Sequence, residues 1–150
     1  MSTISDVSSK AFTQNPYNQG IKNAAEGKKF LEENKHKSEV ETTESGLQYK
    51  VIKKGSARNP KASDEVEVHY RGTLLNGQEF DSSYQRNKST TFKLDQVIAG
   101  WTEGLQKMSK GSKFEFYIPP ELAYGKMGTM GKIGPNATLI FEVELLDIKH

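Results

Sequence analysis

Apolar and polar residues change rhythm along this chain, and each rhythm predicts a different element. Residues 1–19 are rich in Ser, Thr, Asn and Gln without a sustained period, which predicts a loosely held arm. From Gly20 to about Val40 the spacing becomes helical. Ile21, Ala24, Ala25, Phe30 and Leu31 recur three and four residues apart among Lys, Glu and Asn, with Gly20 and Gly27 interrupting the pattern. The polar run 41-ETTESG-46 then predicts a joint, which divides the chain into an arm with linker helix, 1–44, and a compact unit, 45–150.

Beyond Leu47 the period is two. Leu47, Tyr49 and Val51 alternate with Gln48 and Lys50, and Val66, Val68 and Tyr70 alternate with Glu65, Glu67 and His69. Each run predicts a half-buried strand. Asn76-Gly77 stands between strand-like flanks in 74-LLNGQEF-80, which predicts a hairpin because both residues tolerate positive φ. Phe114, Phe116 and Ile118, and then Leu139, Phe141, Val143 and Leu145, alternate in the same way. Between these strands, Val97, Trp101, Leu105 and Met108 share one face of a helix expected over about 97–108, with Ile98 beside them and Gly100 leaving one side clear.

An antiparallel sheet with one amphipathic helix laid across it is an α+β architecture. The space between helix and sheet would be lined by Tyr70, Phe80, Phe92, Trp101, Phe141 and Tyr124. Taken singly, large apolar residues are more often core than site. What raises the functional reading is the connection 119–138, which lacks periodicity and spends four glycines between prolines. Connections of that length are usually functional, so it is expected to form a flap beside the sheet.

Composition removes several function classes. Lys and Arg number 21 against 19 Asp and Glu, a net charge of +2, with the lysines scattered among glutamates; no stripe for nucleic acid or an anionic membrane results. No apolar run is long enough to span a bilayer, and the first residues lack a secretory profile. A cytoplasmic protein is expected, or a periplasmic one if the chain is a processed form. Without cysteine there is no disulfide, thiol nucleophile or thiolate metal site. His36, His69 and His150 are dispersed without paired ligand spacing. The glycines of 125-GKMGTMGKI-133 miss phosphate-loop spacing, with Ile133 where a hydroxyl residue is required. Ser82 and Ser83 have no nucleophile elbow around them and read as turn residues.

Four blocks in order, 66-VEVHYRGTLLNGQEFDSS-83, 97-VIAGWTEGLQKMSKG-111, 122-LAYG-125 and 133-IGPNATLIFEVELLDI-148, resemble the signature of FKBP-type peptidyl-prolyl isomerases, over about residues 45–150. The preceding 24-AAEGKKFLEENKHKSEVETTESGLQYKV-51 resembles the linker helix of the bacterial FklB and macrophage-infectivity-potentiator branch. The resemblance implies a twisted antiparallel sheet of five to six strands wrapped around one short helix, with a helical N-terminal extension. It implies a rotamase that turns Xaa-Pro bonds in a dry aromatic pocket and assists protein folding. Trp101 would floor that pocket, with walls from Tyr70, Phe80, Val97, Ile98, Ile133 and Phe141. Asp81 would be its buried carboxylate and Tyr124 the flap hydroxyl that donates to a substrate carbonyl.

The partners implied are proline-containing peptides, unfolded or nascent chains, and macrolides of the rapamycin and tacrolimus type; no cofactor or metal is expected. The pattern is departed from at Thr129, where several relatives carry His, at Thr90, where eukaryotic members often carry an aromatic, and at Gly134, where many carry a proline. Only some twenty polar residues precede the linker helix, too few for the branch's dimerising region, so a monomer is expected. The alternative reading is a chaperone module that binds proline-containing segments or clients, the arm gripping unfolded chains through Ile21, Phe30 and Leu31, with catalysis secondary.

Overall fold

The computed structural model describes residues 16–56, 58–129 and 131–149, so most of the expected arm and His150 lie outside the described residues. Helix α1 spans Pro16–Asn34, starting earlier and ending earlier than the apolar spacing predicts. The buried face takes in Phe30 from the apolar stripe but not Ile21, Ala24 or Ala25. Gly20, Asn23, Gly27, Phe30 and Asn34 recur at spacings of three and four and turn toward the rest of the chain, while Tyr17, Ile21, Ala24 and Ala25 are exposed.

Backbone proximity explains the inversion. A Cβ on Gly27 would stand 2.2 Å from Thr138 Oγ1, so only glycine lets the helix lie this close. Asn23 Nδ2 donates to the Pro135 carbonyl at 2.8 Å, and Asn34 Nδ2 to Gln48 Oε1 at 2.8 Å. Gln48 Nε2 returns to the Leu31 carbonyl at 2.9 Å, and the Phe30 ring tilts onto Tyr117 at 5.8 Å. The two glycines that interrupt the helix pattern therefore mark its docked side.

Among the described residues seven strands follow: β1 Val40–Thr42, β2 Gln48–Lys53, β3 Glu65–Leu74, β4 Glu79–Ser82, β5 Thr90–Lys93, β6 Lys113–Ile118 and β7 Leu139–Lys149. They form one antiparallel sheet in the order β1-β2-β6-β7-β3-β4, with β5 paired to β3. The strand count exceeds the expected five or six because part of the predicted joint, together with Val40, pairs with β2 as β1. Asn76-Gly77 turns β3 into β4 as expected, with Gly77 at φ +89 and Leu74 N–H bonded to the Gln78 carbonyl.

Strand β2 departs from its pattern for a packing reason. Leu47 is fully buried, but Val51 is 41% exposed, whereas Gln48, expected to point to solvent, is buried. Helix α1 covers that second face of β2 and β6, so the strand has no solvent side at this point and polar pairing replaces water. Tyr117 is buried on β6 beneath the same helix.

Helix α2, Ala99–Leu105, crosses the other face and is shorter than the run 97–108. Val97 and Ile98 are extended, at φ −122, ψ 178 and φ −58, ψ 149, so they enter the helix without belonging to it. Gly100 does not leave an open side: a Cβ there would stand 2.6 Å from Ile118, and one on Gly104 2.6 Å from Phe116. These two residues, one turn apart, press α2 flat onto β6. The core around them joins Leu105, Met108, Phe116, Ile118, Val66, Val68, Val143 and Leu145.

Candidate functional site

Pressing α2 onto β6 leaves Trp101 beneath a cavity of about 560 Å³. The indole is 5% exposed and meets three rings edge-on or tilted: Tyr70 at 5.1 Å, Phe141 at 5.2 Å and Phe92 at 5.3 Å. Phe80 stands against Phe141 at 5.4 Å and 89°, closing the wall. Edge-to-face contacts of this kind suit the ring quadrupoles and hold each ring in place. Gly72 makes the wall possible, since a Cβ there would meet Phe80 at 2.6 Å and Phe141 at 2.7 Å. The indole Nε1 is buried without a hydrogen-bond partner among the described residues, so the floor offers no bonded polar atom.

One edge of the cavity is polar. The Tyr70 hydroxyl donates to Asp81 Oδ2 at 2.5 Å, Arg86 Nη1 pairs with Asp81 Oδ1 at 2.5 Å, and Arg86 Nη2 donates to the Tyr70 hydroxyl at 3.1 Å. The Asp81 side chain is 40% exposed, so it is not the buried carboxylate expected from the sequence. Partial burial pushes its carboxyl up, but the Tyr70 hydroxyl and the Arg86 guanidinium outweigh that and hold it below its ordinary value of 3.8. Burial first, and then the bond to Asp81, raise the Tyr70 hydroxyl, keeping it a neutral donor. Both carboxylate oxygens are thus engaged within the protein.

The connection between β6 and β7 forms the expected flap. A short 3-10 turn, Pro120–Leu122, leads to Tyr124, which lines the cavity mouth at 40% exposure. Its hydroxyl has no partner among the described residues and is free to donate. Asn136 N–H bonds the Gly125 carbonyl at 2.8 Å, returning the flap to its own base.

The cavity therefore gathers Tyr70, Phe80, Asp81, Val97, Ile98, Trp101, Tyr124 and Phe141 of the residues named from the sequence. Ile133 is the exception. It is 5% exposed and packed in the same buried cluster as Trp101 and Phe141, but does not itself line the cavity. Phe92 lines the cavity as its place between helix and sheet predicts, Thr90 and Gln96 line it without having been assigned to it, and Arg86 was not singled out at all. The signals for Arg86 and Gly72 were slender: a cation five residues after an acid across a turn, and a glycine within a strand. Ser83 is a structural residue, its Oγ accepting from Tyr70 N–H at 2.7 Å. His69 stacks on Tyr84 at 4.7 Å, on the strand position next to Tyr70. Among the described residues no cluster of His, Asp and Glu is arranged to hold a metal ion.

Comparison with known proteins bears on this geometry. The chain matches the family of FKBP-type peptidyl-prolyl cis-trans isomerases over residues 56–146, and the domain amino terminal to such isomerases over residues 1–51. It is 52% identical over 127 residues to the FKBP-type peptidyl-prolyl cis-trans isomerase FkpA of Escherichia coli K12, covering 85% of this chain and 47% of that protein. It is 50% identical over 127 residues to the peptidyl-prolyl cis-trans isomerase Mip of Coxiella burnetii, covering 85% of this chain and 55% of that one. The crystal structure of FkpA from Escherichia coli superposes with a TM-score of 0.87 at 47% identity, over 99% of this chain and 68% of that chain. The chain spans about half the length of the curated relatives it matches. With an aromatic pocket floored by tryptophan on an antiparallel sheet and both segments matched in order, this chain belongs to the FKBP-type peptidyl-prolyl cis-trans isomerase family.

Proposed function

We propose that the protein accelerates cis-trans rotation of Xaa-Pro bonds in polypeptide substrates. The observation that carries this reading is the apolar cavity over Trp101 with the unengaged Tyr124 hydroxyl at its mouth. Rotation has a barrier of about 18–20 kcal/mol because the amide loses resonance on twisting. Xaa-Pro is the bond worth catalysing, since both isomers are populated and exchange alone takes tens to hundreds of seconds. The twisted amide is less dipolar than the planar one. A dry aromatic cavity therefore favours it relative to water, provided the cavity binds it better than the ground state.

In this reading the proline ring rests on Trp101 between Tyr70, Phe80, Val97, Ile98 and Phe141, and Tyr124 donates to the carbonyl preceding the proline bond. Asp81 organises the pocket edge through Tyr70 and Arg86. Its two oxygens are occupied and its carboxyl is held ionised, which argues against a role as general acid near neutral pH. A macrolide of the rapamycin or tacrolimus type would compete for the same cavity, and proline-limited protein folding is the natural assay.

The decisive variant is Trp101→Ala, assayed on Xaa-Pro peptides after circular dichroism has shown it folded, since a large-to-small change at a buried aromatic costs about 3–5 kcal/mol of stability. Turnover should drop by an order of magnitude or more. A folded variant working at the parental rate would remove the cavity from the mechanism.

A further inference from the structure

The flap is built on left-handed glycines, Gly125, Gly128 and Gly131, at φ +61, +64 and +102, and such a backbone resists displacement weakly by itself. Its tip closes on itself. Thr129 N–H donates to the Ile133 carbonyl at 2.8 Å, and Ile133 N–H returns to Thr129 Oγ1 at 3.3 Å. Those bonds shape the tip without attaching it to the sheet. Attachment comes from the Ile133 side chain, which plugs into the core, and from Lys132, whose Nζ donates to the Phe80 carbonyl at 3.1 Å.

The acceptor is an unusual one. In the pairing of β3 with β4, Gly72 faces Asp81 and Thr73 faces Glu79, so Phe80 faces no residue. Phe80 is the extra residue of a bulge, and bulged residues drop out of the ladder. An ammonium can supply a bond where the ladder offers none, and a charged donor makes it a strong one. The strand capped in this way carries the pocket wall at Phe80 and the carboxylate at Asp81, while the flap that does the capping carries Tyr124. This hydrogen bond ties the two halves of the site to each other.

We propose that Lys132 is a positioning residue for the isomerase reaction, latching the flap onto the bulged strand and so fixing Tyr124 over the cavity. This rests on the function proposed above, and the test separates the two. Lys132→Met keeps the length of the side chain and removes the donor; Lys132→Arg keeps a donor. Both are compared with the parent for kcat and KM on a short Xaa-Pro peptide and for amide hydrogen exchange across residues 124–133.

The Met variant should raise KM about three- to tenfold, the equivalent of one partly exposed hydrogen bond, with kcat changed far less. Its flap amides should exchange faster, and Arg should restore both readouts toward the parent. Parental KM and parental exchange in the Met variant would overturn the latch. So would an Arg variant as impaired as the Met variant. A parent that does not isomerise the peptide would overturn the functional reading instead, while the exchange comparison still decides whether Lys132 holds the flap.

Discussion

At the scale of single residues, the pocket edge makes two predictions of different size. Tyr124→Phe removes one neutral hydroxyl and should slow peptide isomerisation by about 1 kcal/mol, roughly fivefold, as measured by kcat/KM. Asp81→Leu should cost more, because it strips the acceptor from both Tyr70 and Arg86. Equal and negligible effects would leave desolvation as the whole mechanism. Because the folded Asp81 carboxyl titrates below its ordinary 3.8, what it contributes is present above that pH and lost as pH falls through the folded value. Activity should therefore be flat from neutral pH down to about 5 with respect to this group, and Arg86→Met should move the acid limb to higher pH. The aromatic residues were legible because they fall on the inward positions of regular strands and one helix face. Arg86 and Gln96 were not, because they lie in connections that have no period, and Ile133 was misplaced because a resemblance gives position in a motif but not the direction of a side chain.

At the scale of elements, α1 shows how a pattern of apolar spacing picks the wrong face when backbones approach closely. The stripe of Ile21, Ala24 and Ala25 is real in the sequence yet faces outward, because the contact with the sheet is made through Gly27, Phe30 and paired amides. This sets two effects against each other in Gly27→Ala. Helix propensity favours alanine by about 1 kcal/mol. The added methyl would meet Thr138 Oγ1 at 2.2 Å, an overpacking that costs about 1–3 kcal/mol. The clash should win, giving lower stability in denaturant unfolding and faster hydrogen exchange along α1. A variant more stable than the parent would mean that the helix is not held where the structure puts it. The strands β3, β6 and β7 were legible because each keeps one apolar side, and β1 was not, since its three residues offer only Val40 as a signal.

At the scale of the whole molecule, the helix contributes no residue to the cavity lining but does brace the base of the flap, with Asn23 on Pro135 and Asn136 Nδ2 on the Gly20 carbonyl at 3.3 Å. Deleting residues 1–44 should leave turnover of short peptides nearly intact and reduce catalysis of proline-limited refolding of a protein substrate, where the chain to be bound is longer than the cavity. Equal refolding by the two forms would reduce the segment to a linker. Phe30 and Leu31 are half-buried, so of the side chains expected to grip clients only Ile21 is exposed. Since the docking face of α1 is already occupied by its own sheet, light scattering at micromolar concentration should find a monomer, and a clean dimer would refute that.

The placement of β7 at the centre of the sheet has a consequence in time. It pairs with β3 across register partners such as Gly72 with Phe141, and with β6 on its other side. Contacts so distant along the chain are slow to form, because loop-closure entropy is spent before they are made. Phe141, one wall of the cavity, lies in that strand. A ribosome adding about 5–20 residues per second will therefore have released the tryptophan, the carboxylate and the flap tyrosine before any cavity exists to hold a proline. Phe141 is the last of the lining residues to be synthesised, so a nascent chain lacks the full cavity wall until that strand has paired with β3 and β6.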